Sequence, residues 1–329
     1  MPLILPSNSI SAGGYEVDNS LRFNSGSSDY LSRTVSTSNR QIFTFSGWFK
    51  RGKTSSTNLY VIISADATSP DYIGFNQDAL RVSFNGGFIP IQTTQVFRDI
   101  SAWYHVVVAF DTTQATASNR VKIYVNGSQI TAFSTATYPA LNFNTNYNLS
   151  SVSANIGRVV GSYFFDGYMS EVCFIDGQAL DPTSFGEFDA DTGIWKPIDV
   201  SGLTFGTNGF YLDYKNSGSL GADVSGNGNN FTVNNLTSVD QSTDTPTNNF
   251  CTINPLDKDS NVILADGNLT TSPPSANNKG FRSTFAVSQG KWYWEVKWNS
   301  GGGSNYWYCR RCLCNIKLFR INFKKLGLF

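Results

Sequence analysis

Charged residues are scarce in this sequence, and histidine is almost absent. Only 15% of the 329 residues are Asp, Glu, Lys or Arg, and His105 is the single histidine. Polarity comes instead from uncharged residues, among them 32 Asn and 29 Gly, which favour turns and short strands over helices. Hydrophobic residues make up 40% and aromatic residues 14%, which supplies a core and excludes a wholly disordered chain.

Long apolar segments are missing as well. No run approaches the roughly 20 apolar residues that cross a bilayer, so we expect no membrane-spanning helix and no membrane partner. The start, Met1 to Pro6, has no basic segment, so we expect no secretory signal peptide. A disulfide framework is not expected, because only five cysteines occur and three of them crowd the C-terminus: Cys173, Cys251, Cys309, Cys312 and Cys314.

The formal net charge is zero, but the charges are unevenly distributed. Residues 1–300 hold 18 basic and 24 acidic residues, whereas residues 301–329 hold six basic residues and no acidic one. An acid-leaning body offers no basic surface to a polyanion. We therefore expect no nucleic-acid partner.

Short alternating segments separated by Gly and Asn turns dominate the chain. The segment Ile42–Lys50 places Phe43, Phe45 and Phe49 on one face, and Trp103–Phe110 is apolar on both faces, as in a central strand. Only Pro182–Phe188 suggests a helical turn. Further strands are predicted at Leu80–Phe84, Phe88–Ile91, Val121–Val125, Tyr163–Ile175, Gly209–Tyr214 and Lys291–Trp298.

This pattern predicts an all-β protein built on an antiparallel sandwich. Composition divides it into a sandwich at 1–190, an Asn/Gly/Ser/Thr-rich β connector at 191–250, an incomplete β region at 251–308 and a basic tail at 309–329. The tail is predicted to add no packed structure, either as the product of a shifted reading frame or truncation or as a native extension. The predicted core residues are Phe43, Phe45, Val107, Ile123 and Val172.

Several motifs in the first 190 residues resemble laminin-G-like, pentraxin-like domains of the concanavalin A-like lectin/glucanase superfamily. They are FTFSGWFKRG (43–52), WYHVVVAFD (103–111), VKIYVNGSQI (121–130), NIGR (155–158) and FFDGYMSEVCFIDGQAL (164–180). This resemblance implies that the sandwich is a concanavalin A-like jelly roll. GKWYWEVKWNSGGG (290–303) resembles the opening strand of a SPRY domain, another sandwich. The stretch between them is similar to linkers in structural proteins of marine bacteriophages.

These resemblances imply a non-enzymatic virion structural or adhesion protein, of the tail or fibre kind, located in the virion and made in the host cytoplasm. Its partners would be glycans or a host-surface receptor and other virion proteins, and a homo-oligomer stays open. The alternative is a glycan-cleaving hydrolase of the same superfamily. A third reading, a SPRY-type protein-binding module, needs strands that do not follow Trp298 in this sequence.

Catalytic chemistry has few candidate residues. His105 lies within an apolar strand, which favours a packed histidine over a general base. Glu187, Asp189 and Asp191 form an E-x-D-x-D pattern whose carboxylates would share one face of a strand, about 6–7 Å apart, as glycoside hydrolysis requires. A similar strand motif occurs in the superfamily's retaining glucanases. The competing interpretation is a solvated acidic connector.

Two residue sets are candidate Ca²⁺ ligands, the only cofactor suggested. Asp223, Ser225 and Asn227 follow the first half of a calcium loop, although an Asx-turn cluster would have the same sequence. The superfamily resemblance suggests a rim site instead, with Asp66, Asp71 and Asn76 in a suitable region. Three thiols at chelating spacing, Cys309, Cys312 and Cys314, lack a fourth ligand for zinc nearby, so a chance cluster is favoured.

Overall fold

The structure is a computed structural model, and it describes residues 14–272 and 281–286. Contacts group the chain into two compact units, Met1–Thr284 and Phe285–Phe329, and nearly all described residues belong to the first. The predicted SPRY-like strand Lys291–Trp298 and the tail at 309–329 lie outside the described residues. Within them, no helix has the length and apolar character needed to cross a membrane.

The elements are strands joined by turns and four short 3₁₀ turns. In chain order the strands are β1 (Ser20–Phe23), β2 (Tyr30–Thr34), β3 (Ile42–Arg51), β4 (Leu59–Asp66), β5 (Asp71–Asn76), β6 (Ala79–Phe84), β7 (Ile89–Val96), β8 (Trp103–Asp111), β9 (Val121–Val125), β10 (Ser128–Gln129), β11 (Phe133–Ala136), β12 (Ser153–Ile156), β13 (Gly167–Asp176), β14 (Gly186–Phe188), β15 (Trp195–Pro197), β16 (Phe210–Leu212), β17 (Thr232–Asn234), β18 (Gln241–Ser242), β19 (Ile253–Lys258), β20 (Ile263–Ala265), β21 (Thr270–Ser272) and β22 (Phe281–Ser283). The 3₁₀ turns are Asn85–Gly87, Ala117–Asn119, Pro182–Ser184 and Ser238–Asp240. The third of them lies inside the predicted helical turn.

Two large antiparallel sheets form a sandwich. The first sheet has the order β10-β9-β8-β3-β13-β1-β18, with β16 also paired to β13. The second sheet has the order β11-β7-β6-β5-β4-β12-β2-β17. The small pairs β14-β15, β19-β22 and β20-β21 lie outside them. The predicted all-β antiparallel sandwich is confirmed.

Aromatic side chains fill the space between the two sheets. The ring of Phe43 on β3 stacks on Phe110 of β8 at 4.7 Å and on Phe174 of β13 at 5.1 Å between ring centroids. Phe45, Ile123 and Val172 are fully buried in the same cluster. Four of the five predicted core residues therefore lie between the sheets, because alternation along each strand sends them inward.

Val107, the fifth, is buried on the opposite side of the first sheet. Its neighbours Val106 and Val108 point into the sandwich, so Val107 points outward and packs with Phe185 and Val200. Residues 180–205, called the covering layer here, thus bury the outer face of the first sheet. The strand β8 is apolar on both faces because both faces are covered.

The segment predicted as a connector, 191–250, is built into the sandwich. β16 pairs with β13 of the first sheet, β17 pairs with β2 of the second, and β18 pairs with β1. Phe210 and Leu212 of β16 enter the main core. Residues 191–250 therefore complete both sheets, which the uneven polar composition of this segment did not indicate.

Two consecutive cations at the end of β3 are buried with their partners. Lys50 Nζ lies 2.7 Å from a carboxylate oxygen of Asp244 and also donates to Asn249 and to the carbonyl of Phe250. Arg51 pairs with Asp78 at 2.9 Å. Burial lowers the pKa of Lys50, and the Asp244 carboxylate opposes that shift. Removing one partner of such a pair leaves an uncompensated buried charge.

A chain ended after residue 190 is predicted not to fold cooperatively. It lacks β16, β17, β18 and the carboxylate of Asp244, so Lys50 and the β13 edge lose their partners. Thermal unfolding followed by circular dichroism should show no cooperative transition for 1–190 and a single one for the control chain 1–284. A stable, cooperatively unfolding 1–190 fragment would contradict this.

Candidate ligand-binding face

The outer face of the first sheet is closed around its single histidine. His105 Nε2 lies 2.9 Å from Ser46 Oγ, and Trp195 Nε1 of the covering layer donates to His105 Nδ1 at 2.9 Å. The imidazole also stacks on Trp48, 4.8 Å between centroids. Burial lowers the pKa of His105 to about 3. Both ring nitrogens are engaged and the ring is neutral at pH 7, so the structure places a packed histidine here.

Trp195 reaches this position over a tight turn. Asn126 and Gly127, which join β9 to β10, both have positive φ, 49° and 77°, as a type I′ turn requires. A Cβ on Gly127 would lie 2.4 Å from the Trp195 ring. The Asn-Gly turn thereby leaves room for the indole that closes the face above His105.

Glu171 is a buried carboxyl at an irregular point of β13. The pairing of β13 with β3 shifts register between Ser170 and Cys173, and Glu171 has φ 51°. Its Oε2 accepts hydrogen bonds from Tyr211, at 2.5 Å, and Tyr15, at 3.0 Å, while Oε1 has no partner within the described chain. Burial raises the pKa of Glu171 to about 7.

The outer face of the second sheet has a different character. On β6, Leu80, Val82 and Phe84 point into the core, so Arg81 and Ser83 point outward. Arg81 Nε and Ser83 Oγ are buried and make no hydrogen bond to any described residue. Buried polar atoms without partners are uncommon in folded proteins, because their desolvation is not compensated.

The strands beside β6 frame these two groups. Tyr72 and Gly74 of β5 lie opposite Ser83 and Arg81, respectively. On β7, Gln92 lies opposite Arg81 and accepts hydrogen bonds from Asn76 at 2.9 Å and from Arg81 at 3.5 Å. An aromatic ring, amides and a guanidinium therefore surround a position where Gly74 contributes no side chain. We name this set, Tyr72, Gly74, Arg81, Ser83 and Gln92, the polar face.

A short loop borders the polar face on the far side of β4. It runs from Gly157 to Phe165 and is closed by a hydrogen bond from Phe165 N to Gly157 O, 2.7 Å. Tyr163 O accepts a hydrogen bond from Val61 N of β4. Val160 and Tyr163 have φ of 48° and 53° and are more than half exposed. Left-handed backbone is costly for valine, so the surrounding contacts must hold this conformation.

Residues 24–183 match the family described as the concanavalin A-like lectin/glucanases superfamily. The match supports a domain of that superfamily in this region. The match ends near the last long strand of the first sheet, so the covering layer and β16–β18 are additions to the matched region.

Three solved structures are similar to parts of the chain. A proposed carbohydrate binding protein from Bacteroides ovatus is 18% identical over 67% of this chain and 59% of its own, with a TM-score of 0.39. A botulinum neurotoxin type C structure is 14% identical over 47% of this chain and 40% of its own, with a TM-score of 0.32. Trypanosoma rangeli sialidase is 12% identical over 43% of this chain and 21% of its own, with a TM-score of 0.30. The chain thus spans 59% or less of the length of these structures. Curated protein sequences give no match.

The predicted acidic triad lies on an exposed hairpin of the covering layer, after the matched region. Glu187 is on β14, with a side chain 58% exposed, and forms an ion pair with Lys196 at 3.3 Å. Asp189 accepts hydrogen bonds from Thr192 and Asp191 backbone groups and from Lys196. Those bonds, chiefly from Thr192, lower the pKa of Asp189 to about 2. Here the triad caps a turn.

The first candidate calcium set forms a closed turn. Asp223 accepts hydrogen bonds from the backbone N–H groups of Tyr211, Ser225 and Asn229, and from Ser225 Oγ. Asn227 donates its amide to the carbonyls of Gly206 and Gly209. Protein donors therefore occupy the Asp223 carboxylate, as in the Asx-turn interpretation.

The second candidate set is not brought together. Asp71 and Asn76 stand at opposite ends of β5, roughly 17 Å apart at about 3.3 Å per residue. Asp71 is fully buried and accepts hydrogen bonds from Asn85 and Asn146, and burial raises the pKa of its carboxyl to about 6. Asp66 accepts from Ser64 and Val160. In the described residues no cluster of His, Cys, Asp and Glu is arranged to hold a metal ion. Cys309, Cys312 and Cys314 lie outside those residues.

Sequence reasoning missed the polar face and Glu171. The alternation of β6 places Arg81 and Ser83 on one face, and this signal was available in the sequence. Whether Arg81 and Ser83 have partners depends on which residues of β5 and β7 lie beside them, and no local sequence pattern specifies that pairing. Glu171 lies in the D-G-x-x-S-E-V motif, but its burial depends on Tyr15 and Tyr211, 156 and 40 residues away.

Glu171→Gln is predicted to flatten the pH dependence of stability. The folded-state pKa of about 7 lies above the usual value of 4.5 for glutamate, so the folded protein binds more protons between these two pH values. The wild-type free energy of unfolding should therefore fall as pH rises from 4.5 to 7, by up to about 3 kcal/mol from this group. Denaturant unfolding at several pH values measures it.

Glu187→Gln serves as the control, because that carboxylate is exposed on the hairpin. It should leave the pH dependence as in the wild type. Equal slopes for Glu171→Gln and the wild type between pH 5 and 7 would contradict the prediction.

Proposed function

We propose that this chain is a non-enzymatic recognition protein that binds glycans on the polar face of its second sheet. The observation that carries the proposal is the pair of buried, unpartnered groups, Arg81 Nε and Ser83 Oγ, beside Tyr72 and Gly74. A ligand hydroxyl that accepts from Arg81 and exchanges a hydrogen bond with Ser83 would compensate their desolvation.

The chemistry of the polar face supports a sugar over an apolar ligand. Its side chains are a guanidinium, a hydroxyl, an amide and one half-buried tyrosine ring. Sugars present hydroxyls as donors and acceptors and a C–H face that packs on an aromatic ring. The space beside Gly74 is filled by the backbone of Tyr60 and Val61 on β4, so the contact with a sugar ring is assigned to the Tyr72 side chain. The opposite sheet has no equivalent surface, because the covering layer packs against it.

Binding is proposed to occur without hydrolysis. Glu187 and Asp189 of the predicted triad both form ion pairs with Lys196. These ion pairs fix a hairpin that lies on the other side of the sandwich from the polar face. His105 is closed off by Trp48 and Trp195 and stays neutral. These placements support a binding role, and the superfamily hydrolase remains the alternative that a turnover assay addresses.

In the wider setting we propose a virion structural or adhesion protein of the phage tail or fibre type. The support is the resemblance of the chain to modular virion proteins, in which a laminin-G-like domain precedes a SPRY-like one. Its partners would then be a glycan receptor of the host surface and other virion proteins, with self-association into a homo-oligomer as one arrangement.

Glycan binding should depend on the polar face. We expect Tyr72→Ala and Arg81→Gln each to weaken binding at least tenfold, about 1.4 kcal/mol, because each removes a ring or a charged donor from the contact. A glycan array identifies a binding sugar, and isothermal titration of the full chain with that sugar measures the change.

Phe188→Ala is the matched control, since Phe188 is an exposed aromatic residue of the covering layer, on the other sheet. It should bind like the wild type. If Phe188→Ala weakens binding and the polar-face variants do not, the site is misplaced. Release of new reducing ends from the bound sugar, abolished by Glu187→Gln, would instead support the hydrolase.

The virion role predicts that the protein is part of the particle. Peptides from residues 14–286 should appear among the structural proteins when particles purified through a density gradient are analysed by mass spectrometry. Detection only in the infected-cell lysate, with none in the particle fraction, would contradict this role while leaving glycan binding open to its own test.

A further inference from the structure

Arg158 is held in an unusual position at the start of the bordering loop. Its guanidinium carbon lies 3.6 Å from the centroid of the Tyr30 ring on β2, so the planar group stacks on the ring. Nε and Nη2 donate to Asn155 Oδ1 at 3.4 and 3.3 Å. Tyr30 in turn contacts Phe164, 6.3 Å between centroids, at the other end of the loop. Two rings and an amide therefore fix the orientation of Arg158.

The positive charge of Arg158 has no counter-charge in the described chain. No described carboxylate lies within 4.0 Å of it, whereas the buried cations Lys50 and Arg51 both have one. Asp66 is an acidic residue that contacts the loop, but it accepts hydrogen bonds from Val160 N and Ser64 Oγ. Nη1 makes no hydrogen bond to any residue that the structure describes. The guanidinium is thus oriented, half-exposed and free to bind an anion.

The surroundings of Arg158 continue the polar face. Val159 and Ser162 exchange two backbone hydrogen bonds, of 3.1 and 2.9 Å, which fold residues 160 and 161 into a two-residue turn. That turn is pinned to the end of β4 through Asp66, and Tyr163, 56% exposed, follows it. The strands β12 and β6 are separated by β4 and β5, or roughly 14 Å at about 4.8 Å per strand. Arg158, which follows β12, and Arg81 on β6 are therefore three strand spacings apart across the second sheet.

We propose that Arg158 binds the carboxylate of an acidic sugar, a uronic or sialic acid residue, within a glycan that lies along the polar face. This inference rests on the proposed function and specifies its ligand class. The planar guanidinium presents parallel N–H groups that match the two oxygens of a carboxylate. The exposed Tyr163 ring offers the C–H face of the same sugar a packing surface.

A single carboxylate fits this site better than a phosphate. The site supplies one cation, with Asn155 and Tyr30 orienting it and no second basic side chain in the loop. One bidentate pair balances a charge of −1, whereas a phosphate carries a larger charge and more acceptor oxygens to satisfy. A neutral sugar would leave Arg158 as uncompensated as it is now.

The test compares acidic probes with neutral counterparts, and the ester pair keeps the same sugar chain. The full chain is titrated with oligogalacturonate and with its methyl ester, and with sialyllactose and lactose. The wild type is expected to bind at least one acidic probe ten times more tightly than its neutral counterpart. Arg158→Gln should remove this preference, while its affinity for the neutral probe stays unchanged. Arg158→Lys, which keeps the charge but not the parallel donors, should lose most of the preference.

Lys122→Gln is the control for net charge, because Lys122 lies on β9 of the first sheet. It should retain the acidic preference. Thermal unfolding of each variant verifies that the fold is intact, and Arg158→Lys keeps the test valid if Arg158→Gln is unstable. Equal affinity for acidic and neutral probes in the wild type, or a preference that survives both Arg158 variants, overturns the inference. If neutral glycans still bind and their binding still depends on Arg81, the proposed function stands even though this inference fails. If no glycan binds, both the inference and the proposed function are overturned.

Discussion

The first sheet must be buried on both faces, and the rest of the molecule follows from that constraint. Its central strands β8 and β13 carry apolar side chains at successive positions, and β3 adds Trp48 to the outer face, so the second sheet alone cannot cover them. The covering layer solves this by packing Phe185, Val200 and Phe205 against the outer face. The buried pair of Lys50 and Asp244 extends the cover toward residue 250. Burial on two faces is what a strand with no polar alternation requires.

This asymmetry distinguishes the two outer faces of the sandwich. One is packed against the covering layer, and the other carries Arg81 Nε and Ser83 Oγ, which are buried without partners among the described residues. Arg81, Ser83 and Arg158 keep hydrogen-bonding atoms that no described residue engages, whereas Glu187 and Asp189 of the covering layer engage Lys196 and the adjoining turn. Residues that look chemically reactive in sequence, His105 and Asp189, are the ones whose capacity is already filled.

The sequence predicts the sandwich well because side-chain alternation is a local property. The inward positions of Phe43, Phe45 and Ile123 follow from a period of two residues, and the Asn126-Gly127 turn follows from its preference for positive φ. The outward burial of Val107 does not follow from this alternation, because a strand that is apolar on both faces does not indicate which face points into the sandwich. Partners such as Asp244 for Lys50, 194 residues apart, are set by topology and have no local signal.

The strand β1 shows what this topology means for a chain that is still being made. Ser20 and Leu21 pair with Ser242 and Gln241 on one side, and Leu21 pairs with Met169 on the other. At about 5–20 residues per second, roughly 10 to 40 s separate the synthesis of β1 from that of β18. Over that interval the backbone N–H and C=O groups of the N-terminal strand remain available to any other strand edge. Neighbouring nascent chains on one messenger RNA would therefore compete with the native partner, so expression at low temperature or with a holding chaperone should favour the correctly closed sheet.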